Sequence, residues 1–446
     1  MSISLEPHTV AKRAPTDSER VERSPGVLVA CPDARPPAYQ AAVGFARQGQ
    51  LQQFVTAFYY RGHGPISELA RRYFPCHFLK WRKRLNRRRN RSIPADRVVS
   101  VPSFDVALLV EFRISGKFPR LGRALARWRT RRFDRRVASI VERTRPSLVF
   151  MFSDGGSEYT LPTCRRLGIP TILSMVTGDV REERELLETE AKLAPDYFPL
   201  YLGGGRLDRE AMDWLHERRL SEVKQADLIL VPAEHIASEL VRHGTSRERI
   251  KVVPYAADTR RFRPSDNSRP NGECVFLFAG GIAQRKGIKY LLDAWDRIRR
   301  PGLRLQLLGG LPEELGPLAC RLDSVEILGR VGHSDVPALM ARADVFVFPS
   351  LFEGSAVVTY EALACGLPCL VTPQAGSVVR DGLEGFVIEP RDVQGLAQAM
   401  ARLADDPALR RKMAKAARLR AEQFDWPRYH RSLEEAAAEL GVFPNG

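Results

Sequence analysis

A chain of 446 residues with 44% hydrophobic content is longer than one typical domain and can bury two large cores. Its seven cysteines stand singly, without a C-x-x-C, and its eight histidines form no H-x-x-x-H pair, which speaks against a zinc ribbon, a dithiol redox motif or a helical metal pair. No apolar run approaches 18 residues and no secretory segment opens the chain, so the expectation is a cytosolic protein without a transmembrane helix.

The net charge of +16 is unevenly placed. The block bounded by Arg71 and Arg91 holds ten Lys/Arg and no acid, and residues 113–145 hold twelve against Asp134 and Glu142. The remainder is slightly acidic, so the basic character belongs to the first half of the chain. Such a face meets something anionic: nucleic acid, acidic lipid headgroups or a phosphorylated substrate.

In chain order, residues 1–24 are polar, contain Pro7 and Pro15, show no periodicity and read as a disordered tail. Residues 26–31 (GVLVAC) form a strand, residues 38–48 a helix and residues 54–60 an aromatic strand. In the first basic block Phe74, Phe78, Trp81 and Leu85 fall on one helical face. That helix either lies in a membrane interface or packs its stripe on its own domain. A longer basic helix covers residues 123–145, with Leu125, Trp128, Phe133 and Val137 as a core stripe. Strands follow at 147–152, 170–176, 227–231 and 250–253, with a helix over 158–167. The alternation predicts a doubly wound α/β domain over residues 25–253.

Residues 254–272, rich in Pro, Asn and Arg, read as a linker. A second α/β series occupies residues 273–425, with strands at 274–279, 303–308, 325–328, 345–348, 369–372 and 386–388. Helices are expected at 290–299 and 336–342, and the end, 392–440, reads as all helix. Its last part, 426–446, is expected to return to the first domain with Trp426 and Tyr429 as anchors.

One stretch of the second series carries chemistry. Residues 343–372, ADVFVFPSLFEGSAVVTYEALACGLPCLVT, read as strand, loop, helix, strand. Glu353 and Glu361 have seven residues between them. On a single helix they would point about 80° apart and rise roughly 12 Å, too far to share a proton or a metal. With Glu353 in the loop and Glu361 a turn into the helix, both can face the crevice above the strand ends. Amides of Gly354, Ser355, Ala356 and Val357 at the helix start suit an anion. Two acceptors around an anion site match a nucleoside diphosphate sugar. The turn FAGGIAQRKGI offers Gly280 and Gly281 for close backbone approach, then Arg285 and Lys286 as cations for phosphate. If its strand neighbours that of the glutamate loop, both face one crevice.

PSLFEG…VTYEALACGLPCLVT resembles the E-x7-E signature of glycosyltransferase family 4, retaining enzymes of the GT-B fold. FAGGIAQRKGI resembles the family's phosphate turn, LGRVGHSDVPALMARADVFVFPS its base-binding loop, and RDGLEGFVIEPRDVQGLAQAM its closing segment. In the first half only ADLILVPAEHI and VVPYAADTRRFRP match well. The resemblance implies two Rossmann-like domains facing a central cleft, and a hexosyltransferase-type reaction by front-face displacement without a metal. It assigns Glu361 to the ribose hydroxyls, Glu353 to the donor sugar, Lys286 with Arg285 to the departing diphosphate, and Val331 to the base. It also implies an acceptor on the N-terminal domain. Given the basic charge, this is a glycan or lipid-linked acceptor in cell-surface polysaccharide or glycolipid synthesis, at the cytoplasmic face of an anionic membrane, with no nucleic acid partner.

This chain departs from the family pattern in places. Gly281 stands where the family has Arg, Ser355-Ala356 replace Phe-Gly, PDARPPAY replaces a Gly-Gly loop, and TILSMVTGD lacks a histidine, leaving Thr177 and Asp179 as its polar groups. Two other functions fit the same residues: a polyanion-binding protein on a degenerate transferase fold, and a sugar-nucleotide epimerase of the same fold.

Overall fold

The computed structural model describes residues 24–33, 35–60, 88–202, 208–265, 273–312 and 315–443. Nearly all of the expected tail, the stripe of Phe74, Phe78, Trp81 and Leu85 with most of its basic block, and residues 266–272 of the expected linker lie outside the described residues.

The first half runs β1 (Ser24–Cys31), α1 (Pro36–Arg47), β2 (Leu51–Thr56), β3 (Val98–Ser100), α2 (Ser103–Ile114), α3 (Pro119–Thr144), β4 (Pro146–Phe152), α4 (Thr160–Arg166), β5 (Thr171–Ser174), α5 (Val180–Leu193), α6 (Arg209–Gln225), β6 (Leu228–Val231), α7 (Glu234–Arg242) and β7 (Ile250–Val252). The second half runs β8 (Cys274–Ala279), α8 (Ile288–Ile298), β9 (Leu303–Leu308), β10 (Glu326–Gly329), α9 (Val336–Met340), β11 (Val345–Phe348), α10 (Val357–Ala364), β12 (Cys369–Val371), β13 (Gly385–Val387), α11 (Val393–Asp405), α12 (Pro407–Glu422) and α13 (Trp426–Glu439).

The strands form two parallel sheets, ordered β3-β2-β1-β4-β5-β6-β7 and β10-β9-β8-β11-β12-β13. Parallel strands are covered on both faces, which is why they read as unbroken apolar runs. In β4, Leu148, Phe150 and Phe152 enter one core cluster while Val149 and Met151 enter another across the sheet. Each such buried side chain contributes about 1.5–3 kcal/mol relative to exposure.

Two expected elements differ. β2 covers Leu51–Thr56 rather than 54–60, ending where its partner β1 ends, at the Cys31–Thr56 pair. Tyr59 and Tyr60 are buried in the loop that follows, with the Tyr59 hydroxyl donating to the Asn90 carbonyl at 2.7 Å. The apolar signal there reports loop burial, not a strand. Residues 392–440 are helical nearly throughout, as expected, in three helices, because Asp406 and Asp425 cap new starts ahead of Pro407 and Pro427. In α3, Phe133 and Val137 are core, but Trp128 is exposed and Leu125 half-buried. The short β3 and the helix α2 are additional.

Strand order reverses between β1 and β4 in the first sheet and between β8 and β11 in the second. At such switch points neighbouring loops leave in opposite directions and open a crevice. β8 and β11 pair directly, Phe276 with Val345 and Leu277 with Phe346. The turn after Ala279 and the loop after Phe348 therefore open the same crevice. The chain crosses between the halves at Ala257, which bridges to Asp425. α13 then packs on α1, where the His430 ring lies 3.1 Å from the Gln40 carboxamide.

Candidate active site

A cleft of about 600 Å³ sits at the β8–β11 switch point. Its floor is Gly280 and Gly281 after β8, its walls include Arg330 and Val331 after β10, and its far side is the loop and helix bearing Glu353 and Glu361.

Lys286 reaches this cleft from a tight turn over Gln284–Lys286. Gly287 ends the turn at φ +72°, and a Cβ there would lie 1.9 Å from the Pro349 carbonyl oxygen. Only glycine allows the turn to seat against the end of β11. The Lys286 ammonium pairs with Glu353 Oε1 and lies 5.0 Å from the Phe348 ring centroid. Arg285 Nη1 is 3.2 Å from the same carboxylate oxygen and donates to the Phe352 carbonyl at 2.7 Å.

Burial raises the Glu353 carboxyl, but the Lys286 charge, then Arg285, and hydrogen bonds from Lys286 and Ser350 outweigh it, so Glu353 stays below the ordinary range. Burial lowers Lys286, and the like charge of Arg285 adds to this against the pull of Glu353; the ammonium ends below the usual lysine range. The pair leaves one half-buried cation in excess when Arg285 is counted.

Glu361 sits in α10, nearly buried, with His333 Nε2 3.3 Å from its Oε1. Val357 and Val358 line the cleft beside it. The amides expected to hold an anion are only partly available. Ala356 N–H donates to the Ala375 carbonyl at 2.9 Å. The Ser355 hydroxyl lies 2.6 Å from the Gly376 carbonyl oxygen and 3.0 Å from the Tyr360 hydroxyl. The 354–356 loop is thus sewn to the turn after β12, while Ser355 and Ala356 still line the cleft. Arg285, expected at the diphosphate, does not line the cleft and instead braces the Glu353 loop.

The first half reaches this loop as well. A Cβ on Gly354 would lie 2.2 Å from the Val176 carbonyl oxygen. Arg285 N–H donates to the Tyr201 carbonyl at 3.1 Å. Glu190 of α5, fully buried, accepts from Gln284 Nε2 at 2.6 Å, from the Tyr290 hydroxyl at 3.0 Å and from Arg391 Nε at 2.8 Å. His235, at the start of α7, is hydrogen-bonded to the Glu353 main chain, and burial still pushes it down to about 4, so it is neutral. Asp179, one of the expected acceptor-side groups, caps α5 and is taken up by Arg181.

Arg330, His333, His235 and Glu190 were not anticipated as site residues. Arg330 and His333 lie within the quoted LGRVGHSD, so their position in a loop following a strand was the available signal. Glu190 and His235 reach the site from the other sheet, and no local pattern marks them. Among the described residues no group of three His, Cys, Asp or Glu is placed to hold a metal.

Two Rossmann-like halves meeting at a cleft define a GT-B fold. Solved structures share it over nearly their whole length. Sucrose-phosphate synthase from Thermosynechococcus elongatus aligns with a TM-score of 0.63 at 17% identity, covering 94% of this chain and 99% of that one. Anabaena HepE in complex with UDP aligns with a TM-score of 0.59 at 15% identity, covering 93% and 100%. The family model "Glycosyltransferase Family 4" matches residues 68–261, and "Glycosyl transferases group 1" matches residues 273–406. The chain belongs to the family 4 type of glycosyltransferases. Relatives include D-inositol 3-phosphate glycosyltransferase of Streptomyces avermitilis, 34% identical over 46% of this chain and 50% of that protein. Glycogen synthase of Mycobacterium tuberculosis is 33% identical over 46% and 52%. The chain spans about half the length of the curated relatives it matches.

Proposed function

We propose that this protein transfers a sugar from a nucleoside diphosphate sugar to an acceptor bound by its N-terminal half, with retention at the anomeric carbon. The observation that carries this is the meeting of Lys286, Glu353 and Glu361 around one cleft at a switch point. HepE, of like fold, has been crystallised with UDP-glucose, which supports a donor of this class.

In this reading Glu361 accepts hydrogen bonds from the ribose hydroxyls, and Val331 lies against the base. The diphosphate crosses the Gly280–Gly281 turn toward Lys286, and Glu353 accepts from the donor sugar's hydroxyls. Lys286 begins partly buried and weakened as a cation. An arriving diphosphate favours its charged form, so its stabilisation grows as negative charge develops on the leaving group. Arg330 is a second cation on the same wall. The departing phosphate oxygen can take the acceptor's proton, which requires no further base.

The acceptor is a glycan or lipid-linked molecule of anionic character, met at the cytoplasmic face of a membrane. The basic first half supports an anionic acceptor, as does a relative named for D-inositol 3-phosphate. The polyanion-binding reading predicts no donor turnover, and the epimerase reading predicts donor conversion with no acceptor present. Release of nucleoside diphosphate from UDP-, GDP- and ADP-sugars, with and without acceptor, separates the three. Lys286→Ala should lower kcat/KM by about 10²–10³. Undiminished turnover in that variant would refute the assignment.

A further inference from the structure

The hairpin of α2 and α3 carries a surface that the cleft does not use. A helix at a protein surface ordinarily turns polar side chains outward. α2 reverses this: Phe104 and Ala107 face the core, while Val106, Leu109, Val110 and Phe112 face out, Phe112 with 82% of its surface exposed. Phe118 in the connection and Leu121 at the start of α3 extend the patch, both more than half exposed.

Along α3 the outward stripe changes character. Trp128 comes next, 48% exposed, followed by Arg131, Arg132, Arg135 and Arg136. These side chains and the 100–103 loop line a groove of about 850 Å³. Carboxylates answer only part of the charge. Arg131 pairs with Glu158 at 2.8 Å, but Arg132 donates to the Ser103 hydroxyl at 3.1 Å and Arg135 to the Tyr159 hydroxyl at 2.6 Å. Leu121 and Arg136 are roughly 22 Å apart along the helix axis. Over that length the surface passes from apolar, through tryptophan, to cationic. One leaflet of a bilayer has the complementary order of acyl chain, interface and phosphate. The first basic block also ends here, with Arg88 pairing with Asp105 of α2 at 2.9 Å.

We infer that the α2–α3 hairpin docks the protein on an anionic phospholipid bilayer. Phe112, Phe118 and Leu121 enter the interface, Trp128 lies at headgroup level, and Arg132, Arg135 and Arg136 meet lipid phosphates. A second copy fits less well, since a two-fold contact on this face would oppose like charges. Nucleic acid would engage the arginines but leave Phe112 and Leu109 in water. The inference does not depend on sugar transfer.

Flotation of the full chain with phosphatidylcholine vesicles, and with phosphatidylcholine–phosphatidylglycerol vesicles, tests it. The protein should float with the mixed vesicles only. Leu109→Ser with Phe112→Ser should weaken binding at least about tenfold, and Arg132→Gln with Arg135→Gln should weaken it and flatten its salt dependence. Trp128→Phe should remove most of the fluorescence quenching caused by brominated acyl chains. All these positions are exposed, so thermal midpoints should not move. Failure of the wild type to float, equal flotation with both vesicle types, or binding unchanged in both double variants would overturn the inference. So would loss of a dimer, seen by light scattering, in the Leu109/Phe112 variant. Donor binding measured on the same variants should be unchanged. If the wild type floats as described but binds no nucleotide sugar, the sugar-transfer reading fails alone.

Discussion

At the scale of single residues, the cleft depends on where charge is buried and what answers it. Glu353 and Lys286 were both legible in the sequence, one in a loop after an apolar run and the other in a glycine turn. Their pairing was not, because 67 residues separate them and only the sheet brings their loops together. Ser355 and Ala356 were legible as cleft residues, and they line it. That the turn at 373–376 takes the Ala356 amide and the Ser355 hydroxyl was not legible, because that turn follows a different strand. Gly287→Ala should cost at least about 1–2 kcal/mol from the left-handed backbone alone. It should also lower donor affinity by displacing Lys286. Urea denaturation and donor titration check the two effects, and a variant with wild-type affinity would contradict the role given to this turn.

Glu239 supplies a pH dependence at the same scale. Burial, then the Glu182 and Asp179 charges, outweigh the hydrogen bond from the Asp179 amide and move it from its ordinary 4.5 to about 7. The folded state therefore holds this proton more tightly than the unfolded chain. The stabilisation is complete below about 4.5 and is lost as pH rises through about 7. Glu239→Gln mimics the protonated form and keeps an acceptor for the Asp179 amide. Its stability relative to wild type should improve by about 1–2 kcal/mol between pH 5 and pH 8. Thermal midpoints of the two proteins at both pH values give the answer, and a constant difference would contradict the assignment.

At the scale of elements, the second half was read closely because its strands are long apolar runs punctuated by Gly and Pro. The first half was harder. β3 has three residues and α2 has an apolar exposed face, so neither carries the periodicity of an ordinary element. The aromatic run after β2 looked like a strand because Tyr59 and Tyr60 are buried, and burial alone does not distinguish a strand from a packed loop. α13 was legible through Trp426 and Tyr429. The Tyr429 ring packs edge-on against Tyr255 at 6.2 Å and Trp426 at 5.6 Å, and it is almost fully buried. Tyr429→Ala should cost about 3–5 kcal/mol by leaving a cavity between α13 and the segment after β7. A loss under about 1 kcal/mol in chemical denaturation would mean that the helix is held by other contacts.

At the scale of the whole molecule, the halves share their polar network. Glu190 belongs to the first half, yet its three donors, Gln284, Tyr290 and Arg391, belong to the second. Removing a buried carboxylate that answers an arginine leaves uncompensated charge and typically costs about 3–5 kcal/mol. Glu190→Ala should lose stability of that order and weaken donor binding, because Gln284 begins the turn that presents Lys286. The sequence could indicate two α/β units and a returning helix, but not which side chains of one unit would brace the Lys286 turn of the other.

The claim on which the rest depends is that the β8–β11 cleft holds a nucleoside diphosphate sugar, with Glu361 on the ribose and Lys286 on the diphosphate. Calorimetric titration of UDP-, GDP- and ADP-sugars into the wild type, Glu361→Ala and Lys286→Ala tests it directly. At least one donor should bind the wild type, and each variant should lose about 1.5–3 kcal/mol of that affinity, roughly ten- to a hundredfold, when titrated at a temperature where circular dichroism shows it folded. A donor that binds all three proteins equally, or a wild type that binds none, would contradict the account.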